Sequence, residues 1–505
     1  MKKIERSTLL LFLLFWFLSA LFLLVISNGT SPANPYYLAD SSAFYLVGRG
    51  ILHGLAPYRD IFDHKGPLLY CIYALGEWLI PGKAGVFLLQ TASTGGAFTL
   101  LYRFFRLYSG ILATWLLLAL SAIGIAACLA EGALTEEWSL PLSLLPLYLV
   151  VRHLTLRGTA ETLPGRTWLL TGLCCAAHFL LRVNNASPVC GLVLALSLIL
   201  LLKGQFAKLS KGLLLLGAGL LLPLVLSLFL LAWANILGDF VESYLSYNFA
   251  YLDYHSAGKR TANYLLLGSR VSSLFFLCAA GAWLVRKGRL KTEVFVVFVT
   301  VAAISALALV PLVDFSHYYM TYIPALACAI VLLPGLWATT SSLPIRSICL
   351  LCALASLSLF LRDGGRNIKR KTFSFLKSPY SEQVSCTSFS QIIPKEEQSS
   401  FLGYDVWPMV YLHSDIMPCH KYCFIQTFLA GKNPAMEQEL EDYFKSEKAP
   451  KWVAIPYKGE VSEDLEAVEN AAIREVLSER YERVSHAGQN PEWDWDQVSL
   501  YHRIK

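Results

Sequence analysis

Charge is what this chain has least of. Only 15% of its 505 residues are Asp, Glu, Lys or Arg, against about 25% in ordinary soluble domains, while 55% are hydrophobic. A water-soluble globular fold is excluded for most of the length. The formal net charge is a modest +6, and the chain shows no basic patch interleaved with aromatics, so nucleic acid is not an expected partner. No Gly-rich dinucleotide fingerprint or Walker loop occurs, which also argues against a nucleotide. Of the twelve cysteines, all but Cys386, Cys419 and Cys423 lie in or beside apolar runs, where cysteine acts as a small hydrophobe. Cys419-His-Lys-Tyr-Cys423, with His413 nearby, lacks the spacing of a zinc knuckle. A disulfide among Cys386, Cys419 and Cys423 in an oxidising compartment, with one thiol left over, is the expectation.

Long apolar runs are what the chain has in abundance. A spanning helix needs about 20 mostly apolar residues, and runs near that length fall at 8–27, 84–104, 110–129, 138–152, 167–181, 186–202, 212–232, 264–285, 293–312, 318–338 and 345–361. The sequence thus predicts a polytopic α-helical membrane protein of about eleven spans. The first run, with Ser31-Pro-Ala behind it, also suits a signal peptide, but its length and the many runs that follow favour an uncleaved helix. Pro67 to Ile80 is too short to span and is expected along the interface.

Placing Lys2, Lys3 and Arg6 in the cytosol puts Arg103/Arg106, Arg152/Arg157/Arg166, Lys203/Lys208/Lys211 and Arg286/Lys287/Arg289/Lys291 on that same side. The opposite side receives the 28–83 loop, the Glu131–Glu137 turn, the Arg182–Asn185 turn, the 233–263 segment, the Asp314–Tyr319 turn and the C-terminal region. The expected organisation is a membrane domain over 1–361, a basic linker over 362–378 and an extracytoplasmic α/β domain over 379–505. In that last domain Lys451–Pro456 and Gln497–Ile504 read as strands, and Glu437–Lys448 and Ser462–Val484 as helices. The implied location is the inner (cytoplasmic) membrane, with a cytoplasmic N-terminus.

The external polar residues are the candidates for chemistry, because an ionisable side chain is costly in hydrocarbon and cheap just outside it. Asp40 precedes Ser41–Leu52, read as an amphipathic interfacial helix with Asp40 at its start. Asp is also a favoured helix cap, and capping and catalysis are compatible there. Gly54-Leu-Ala-Pro57-Tyr-Arg-Asp60 reads as a turn, followed by Asp63-His64-Lys65-Gly66-Pro67 with the proline suited to a first helical turn. Lys65 suits an anion site or a lysine snorkelling at the headgroup boundary. Glu136 and Glu137, after Thr135, read as a helix N-terminus that complements the dipole. Arg182-Val-Asn-Asn185 places a guanidinium fork where it can grip phosphate. His317-Tyr318 reads as part of an interfacial aromatic belt.

An acidic residue shortly after the first helix, then an interfacial helix, a Gly-x-x-Pro-Tyr turn and Lys65-Gly-Pro-Leu68, resembles the GT-C membrane glycosyltransferases. The closest likeness is to the protein O-mannosyltransferase and lipid A aminoarabinose transferase branch and its bacterial relatives. Leu134–Pro141, Arg182–Asn185 and the Asp314–Tyr319 motif extend the resemblance, which covers roughly the first 330 residues; Gly66 and Ser41 depart from the usual Lys-Pro-Pro run and Asp-Glu pair. It implies a sugar transferred from a polyprenyl-phosphate donor to a lipid, glycan or protein acceptor, with Asp40 as catalytic base. Lys65, Arg182, His317 and Tyr318 would face the donor phosphate, and Asp63, His64, Glu136 and Glu137 the acceptor or a metal. No cofactor is required by the sequence, although a divalent cation on Asp40 with Glu136 or Glu137 is chemically compatible. The rival readings are a lipid-linked glycan flippase or transporter, which calls for ionisable groups at mid-membrane, and an O-antigen ligase or polymerase, which favours a large late loop.

Overall fold

The computed structural model describes residues 2–34, 36–249, 272–310, 315–339, 343–377, 388–431, 433–488 and 497–504. Asp314, Cys386 and residues 250–271, which carry parts of the expected late motif, cysteine set and eighth span, lie outside them. Among the described residues, seven helical stretches are long and apolar enough to cross a membrane: Ser7–Ile26, Lys83–Phe105, Ile111–Cys128, Thr135–Leu156, Val183–Leu202, Phe206–Trp233 and Ser316–Thr339. The protein is a multi-pass membrane protein. Three other expected spans are shorter helices, Gly165–Leu181 with 17 residues, Ser273–Arg286 with 14 and Thr292–Ala308 with 17.

Contacts divide the chain into two compact units, and the division differs from the expected one. The first comprises Met1–Ser27, Phe87–Phe229 and Ser256–Lys377; the second comprises Asn28–Val86, Leu230–His255 and Ser378–Lys505. The first external loop therefore belongs with the C-terminal domain.

In the first unit, α1 (Lys2–Ile26), α4 (Lys83–Phe105), α5 (Ile111–Cys128), α6 (Thr135–Leu156), α7 (Gly165–Leu181), α8 (Ser187–Leu202) and α9 (Phe206–Trp233) supply most of the bundle. Glycine sets one close approach. A Cβ on Gly172 of α7 would lie 2.1 Å from the Leu216 carbonyl oxygen of α9, and one on Gly219 would lie 2.2 Å from that of Leu169. Small residues let two backbones meet where lipid offers no hydrophobic drive between helices.

The expected basic linker is not a linker. Residues Leu343–Lys377 form one 35-residue helix. Lys371, only 4% exposed, donates to the carbonyl oxygens of Ile26 at 2.6 Å, Ala130 at 2.9 Å and Leu129 at 3.4 Å. These carbonyls end α1 and α5, where helices leave backbone acceptors without partners. A run expected to be a basic linker thus supplies, through Lys371, a cap for two helix ends. Lys371→Met is expected to cost about 3 kcal/mol, since buried acceptors lose their donor, and to appear as a lowered Tm of the purified protein.

In the second unit, α2 (Ala39–Leu52) and α3 (Pro67–Leu79) form a tight pair, with Pro67 in the first turn of α3 as expected. α2 is not a surface helix, because every residue from Ser41 to Gly50 is buried. Gly48 permits this: a Cβ there would stand 2.7 Å from the Tyr73 Cβ and 2.8 Å from the Ala74 nitrogen. Arg49, also buried, pairs with Glu77 at 3.0 Å and donates to the Leu412 carbonyl at 3.3 Å and Asp415 at 3.2 Å. This ties the first loop to the helix Met409–Ser414.

The C-terminal part carries a four-stranded sheet of β1 (Phe401–Gly403), β2 (Trp452–Pro456), β3 (Tyr481–Gly488) and β4 (Gln497–Arg503), in the order β1-β2-β4-β3. β1 runs parallel to β2, and the other pairs are antiparallel. The helix Pro434–Lys445 meets expectation. The single helix expected over Ser462–Val484 instead splits into Val461–Glu466 and Ala471–Arg480, and the chain enters β3 at Tyr481. Asn470 starts the second piece by accepting the Ile473 N–H at 2.9 Å, and its side chain breaks the run.

Candidate active site

The polar residues singled out in the sequence gather into two clusters, one in each unit. In the second unit Asp40 lies in the first turn of α2 and is exposed. It is not the cap: Leu38 holds that position, with no side-chain cap hydrogen bond. Among the described residues no hydrogen-bond partner engages Asp40, so its carboxylate is presented outward by a helix that is otherwise buried.

The Asp63-His64-Lys65 segment is arranged by Asp63 and aromatic hydroxyls. Asp63, 5% exposed, accepts the His64 N–H at 2.7 Å and the Tyr70 hydroxyl at 2.9 Å. The Tyr70 oxygen in turn accepts the Lys65 N–H at 3.0 Å, and Tyr58 donates to the Lys65 carbonyl at 2.9 Å. Tyr58 itself has φ 71°, a left-handed conformation that the Gly54–Asp60 turn imposes. The Lys65 Nζ sits 2.6 Å from His64 Nε2, and the His64 carbonyl accepts from Asn248 at 2.8 Å. Asp63, expected near an acceptor or metal, is therefore the anchor of the turn that aims Lys65, and His64 is bound into the same turn.

Burial pushes the Asp63 carboxyl above its usual range, the Lys65 charge pulls it back, and the Asp40 charge adds to the rise. The fold thus binds the Asp63 proton more tightly than the unfolded chain does. Its contribution to stability is fully present below the ordinary carboxyl range and falls as pH rises through that range towards the raised value. Asp63→Asn is expected to flatten this part of the stability–pH curve, measured as Tm against pH from about 4 to 7.

In the first unit Arg182 ends α7 with an extended backbone, φ −166° and ψ 120°. One guanidinium nitrogen donates to Glu136 at 2.9 Å, the other to the Tyr318 hydroxyl at 3.0 Å, and the guanidinium carbon lies 4.4 Å from the centre of the Tyr318 ring. The His317 ring packs edge-on to Tyr318, with centroids 4.3 Å apart. Asn185, three residues later in the motif, is buried and donates to Ser139 at 2.9 Å. Three motifs thus meet at one place, with Arg182 lying 46 residues from Glu136 and 136 from Tyr318. Arg182 and Glu136, expected to serve donor and acceptor separately, are one ion pair.

Glu137 has another task. It accepts the Leu134 N–H at 3.3 Å at the start of α6 and the Gln90 amide at 2.6 Å, which makes it a helix-start and packing residue. The set offered for a divalent cation fits poorly, since Glu136 already faces a guanidinium and Glu137 is taken up by amide donors. Among the described residues no three His, Cys, Asp or Glu side chains gather to hold a metal. Cys419 and Cys423 are both free thiols rather than the expected disulfide partners; Cys419 lies 3.4 Å from the Tyr443 hydroxyl, and burial pushes its thiol up to about 11.

Sequence reasoning missed Arg49, Glu77 and Lys83. The Lys83 ammonium donates to the carbonyls of Asn28 at 2.9 Å, Asn34 at 2.8 Å and Tyr36 at 2.6 Å, folding back the strand of chain that leads to Asp40. A lysine opening an apolar run reads as a boundary residue, and only its burial, at 9% exposed, reveals the clamp.

No family model matches the sequence, and neither does any curated protein. Solved structures do match by fold. The lipid A aminoarabinose transferase ArnT from Cupriavidus metallidurans, bound to undecaprenyl phosphate, superposes with a TM-score of 0.56 at 13% identity over 98% of this chain and 98% of that one. Its apo state gives a TM-score of 0.54 at 11% identity over 99% and 98%. At such identity the likeness establishes architecture: the chain is similar in fold to this helical membrane protein, with a small sheet at the C-terminal end.

Proposed function

We propose that a chain with this fold is a membrane glycosyltransferase, moving a sugar from a polyprenyl-phosphate-linked donor to an extracytoplasmic acceptor. The observation that carries the reading is the outward carboxylate of Asp40, held in the first turn of a buried helix, in a fold whose relative was captured with undecaprenyl phosphate. A carboxylate presented this way suits a general base.

In this reading Asp40 takes the proton from an acceptor hydroxyl or amine as that group attacks the anomeric carbon. The bond from that carbon to the phosphate oxygen breaks, its electron pair leaves with polyprenyl phosphate, and the anomeric configuration inverts. Negative charge grows on the leaving phosphate, so donors already fixed in place lower the barrier without having to reorganise. Arg182, braced by Glu136 and Tyr318, is assigned to that charge, as are Lys65 and His317. Lys65 is aimed by the Asp63–Tyr70 turn rather than left on a free stem.

The rival transporter reading calls for ionisable groups along a mid-membrane path, whereas the buried lysines Lys83 and Lys371 are taken up by backbone carbonyls and Arg182 and Glu136 by each other. The test is purified protein with a panel of undecaprenyl-phosphate sugars and a cell-envelope lipid and glycan fraction. Release of undecaprenyl phosphate that depends on both donor and acceptor supports the reading; release from no donor in the panel contradicts it.

A further inference from the structure

The first unit contains a cavity that the proposed chemistry does not use. It has a volume of about 310 Å³ and lies where Leu107 and Tyr108, after α4, meet the end of the helix Ser273–Arg286 and the Val331–Thr339 stretch. Leu107, Leu284, Leu332 and Ala338 give it apolar walls, and Arg289 also lines it. The polar groups inside are already satisfied: Thr339 donates to the Gly335 carbonyl at 3.0 Å, and the Tyr108 hydroxyl lies 2.6 Å from that of Thr155. The walls are more apolar than polar and Arg289 is the charged group among them, so the cavity suits hydrocarbon beside a cation.

The rim is the opposite in character. Arg289 lines the cavity and Arg286 and Lys287 come three and two residues before it; all three are exposed, and among the described residues none of them pairs with a carboxylate. Lys287 lies 4.8 Å from the centre of the Trp283 ring, an interfacial arrangement of cation on indole. The nearby acid, Glu293, is already paired with Lys203. The helix ends at Gly288, whose φ is 64°, and the Arg289 and Leu290 N–H groups both return to the Leu284 carbonyl, which fixes the basic turn against the cavity. A positive helix end alone would account for the cations but not for an apolar chamber beside them.

Position separates this place from the donor site. Tyr108 meets α6 at Thr155, whereas Arg182 meets it at Glu136; at 1.5 Å per residue, about 28 Å of helix lies between. That is close to the thickness of a bilayer core.

We propose that this cavity is a binding site for one anionic diacyl phospholipid, with an acyl chain in the apolar chamber and the phosphate on Arg286, Lys287 and Arg289. Basic pockets between transmembrane helices recognise such headgroups through the surplus of positive charge. The site serves the leaflet that the charge distribution assigns to the cytosol, and it stands apart from the glycosyltransferase reading.

The test is native mass spectrometry of the full-length protein titrated with dioleoyl phosphatidylglycerol or dioleoyl phosphatidylcholine, alongside Tm in each lipid. The expected result is one tightly held phosphatidylglycerol that raises Tm, with phosphatidylcholine bound at least about tenfold more weakly. R286A/R289A should abolish the preference between the two lipids while leaving Tm in detergent unchanged. Ala338→Leu, which adds side-chain volume inside the chamber, should weaken phosphatidylglycerol with the cations intact. Equal retention of the two lipids by the wild type overturns the proposal, as does a preference that survives R286A/R289A. A loss of detergent Tm in R286A/R289A would mean that the cations serve the fold instead, and also overturns it.

Discussion

Asp40→Asn is expected to lower turnover by about 10²–10⁴-fold, the range that a positioned general base supplies, while leaving Tm unchanged. Both halves of that expectation come from the same geometry. The side chain is exposed, and among the described residues it takes no hydrogen bond, so asparagine costs the fold nothing. The helix beneath it stays buried through Ser41–Gly50 and keeps the substituted group in place. Turnover of a polyprenyl-phosphate sugar by purified wild type and variant, with melting curves of both, makes the measurement. A loss of less than tenfold at equal stability would remove Asp40 from the role of base.

Arg182→Ala should fail in two ways at once. Glu136 is 2% exposed and would be left as a buried carboxylate without its partner, which typically costs about 3–5 kcal/mol. The donor phosphate would also lose the guanidinium assigned to it. The two effects separate in the double variant R182M/E136Q, where neither charge is stranded and the contacts are replaced by groups of similar size. Stability should largely return there and turnover should not. Recovery of turnover along with stability would make the pair a structural one and leave the leaving phosphate to Lys65 and His317. R182K is a useful third point, because a lysine keeps the charge but cannot hold Glu136 and Tyr318 in one planar fork.

The parts of this molecule that were legible in the sequence are those governed by local rules. Apolar runs of sufficient length became α1, α4, α5, α6, α8 and α9, Pro67 opened α3, and the alternating Trp452–Pro456 became β2. The failures share a cause, which is partnership between distant residues. α2 looked amphipathic because Phe44, Val47 or Gly48, and Ile51 recur at helical spacing, with Ser41, Ser42 and Arg49 between them. Ser41 and Ser42 hydrogen-bond back to the carbonyls of Leu38 at 2.9 Å and Ala39 at 2.6 Å, Gly48 admits α3, and Arg49 finds Glu77, so all four can be buried. The Lys371 cap is likewise invisible without the ends of α1 and α5, and a basic stretch that meets them reads as a linker. The candidate site was legible as residue types and motifs. Its pairing was not, since Glu136 and Arg182 lie 46 residues apart and Tyr318 lies 136 residues from Arg182.

The choice between acceptor classes rests with the cell envelope. Mass spectrometry of envelope lipids, glycans and glycoproteins should be compared among cells lacking the protein, cells restored with the wild type and cells restored with Asp40→Asn. The account predicts one glycosyl residue missing from a single class of envelope molecule in the deletion, regained with the wild type and still missing with Asp40→Asn. An envelope of identical composition in all three, or full restoration by Asp40→Asn, would contradict it.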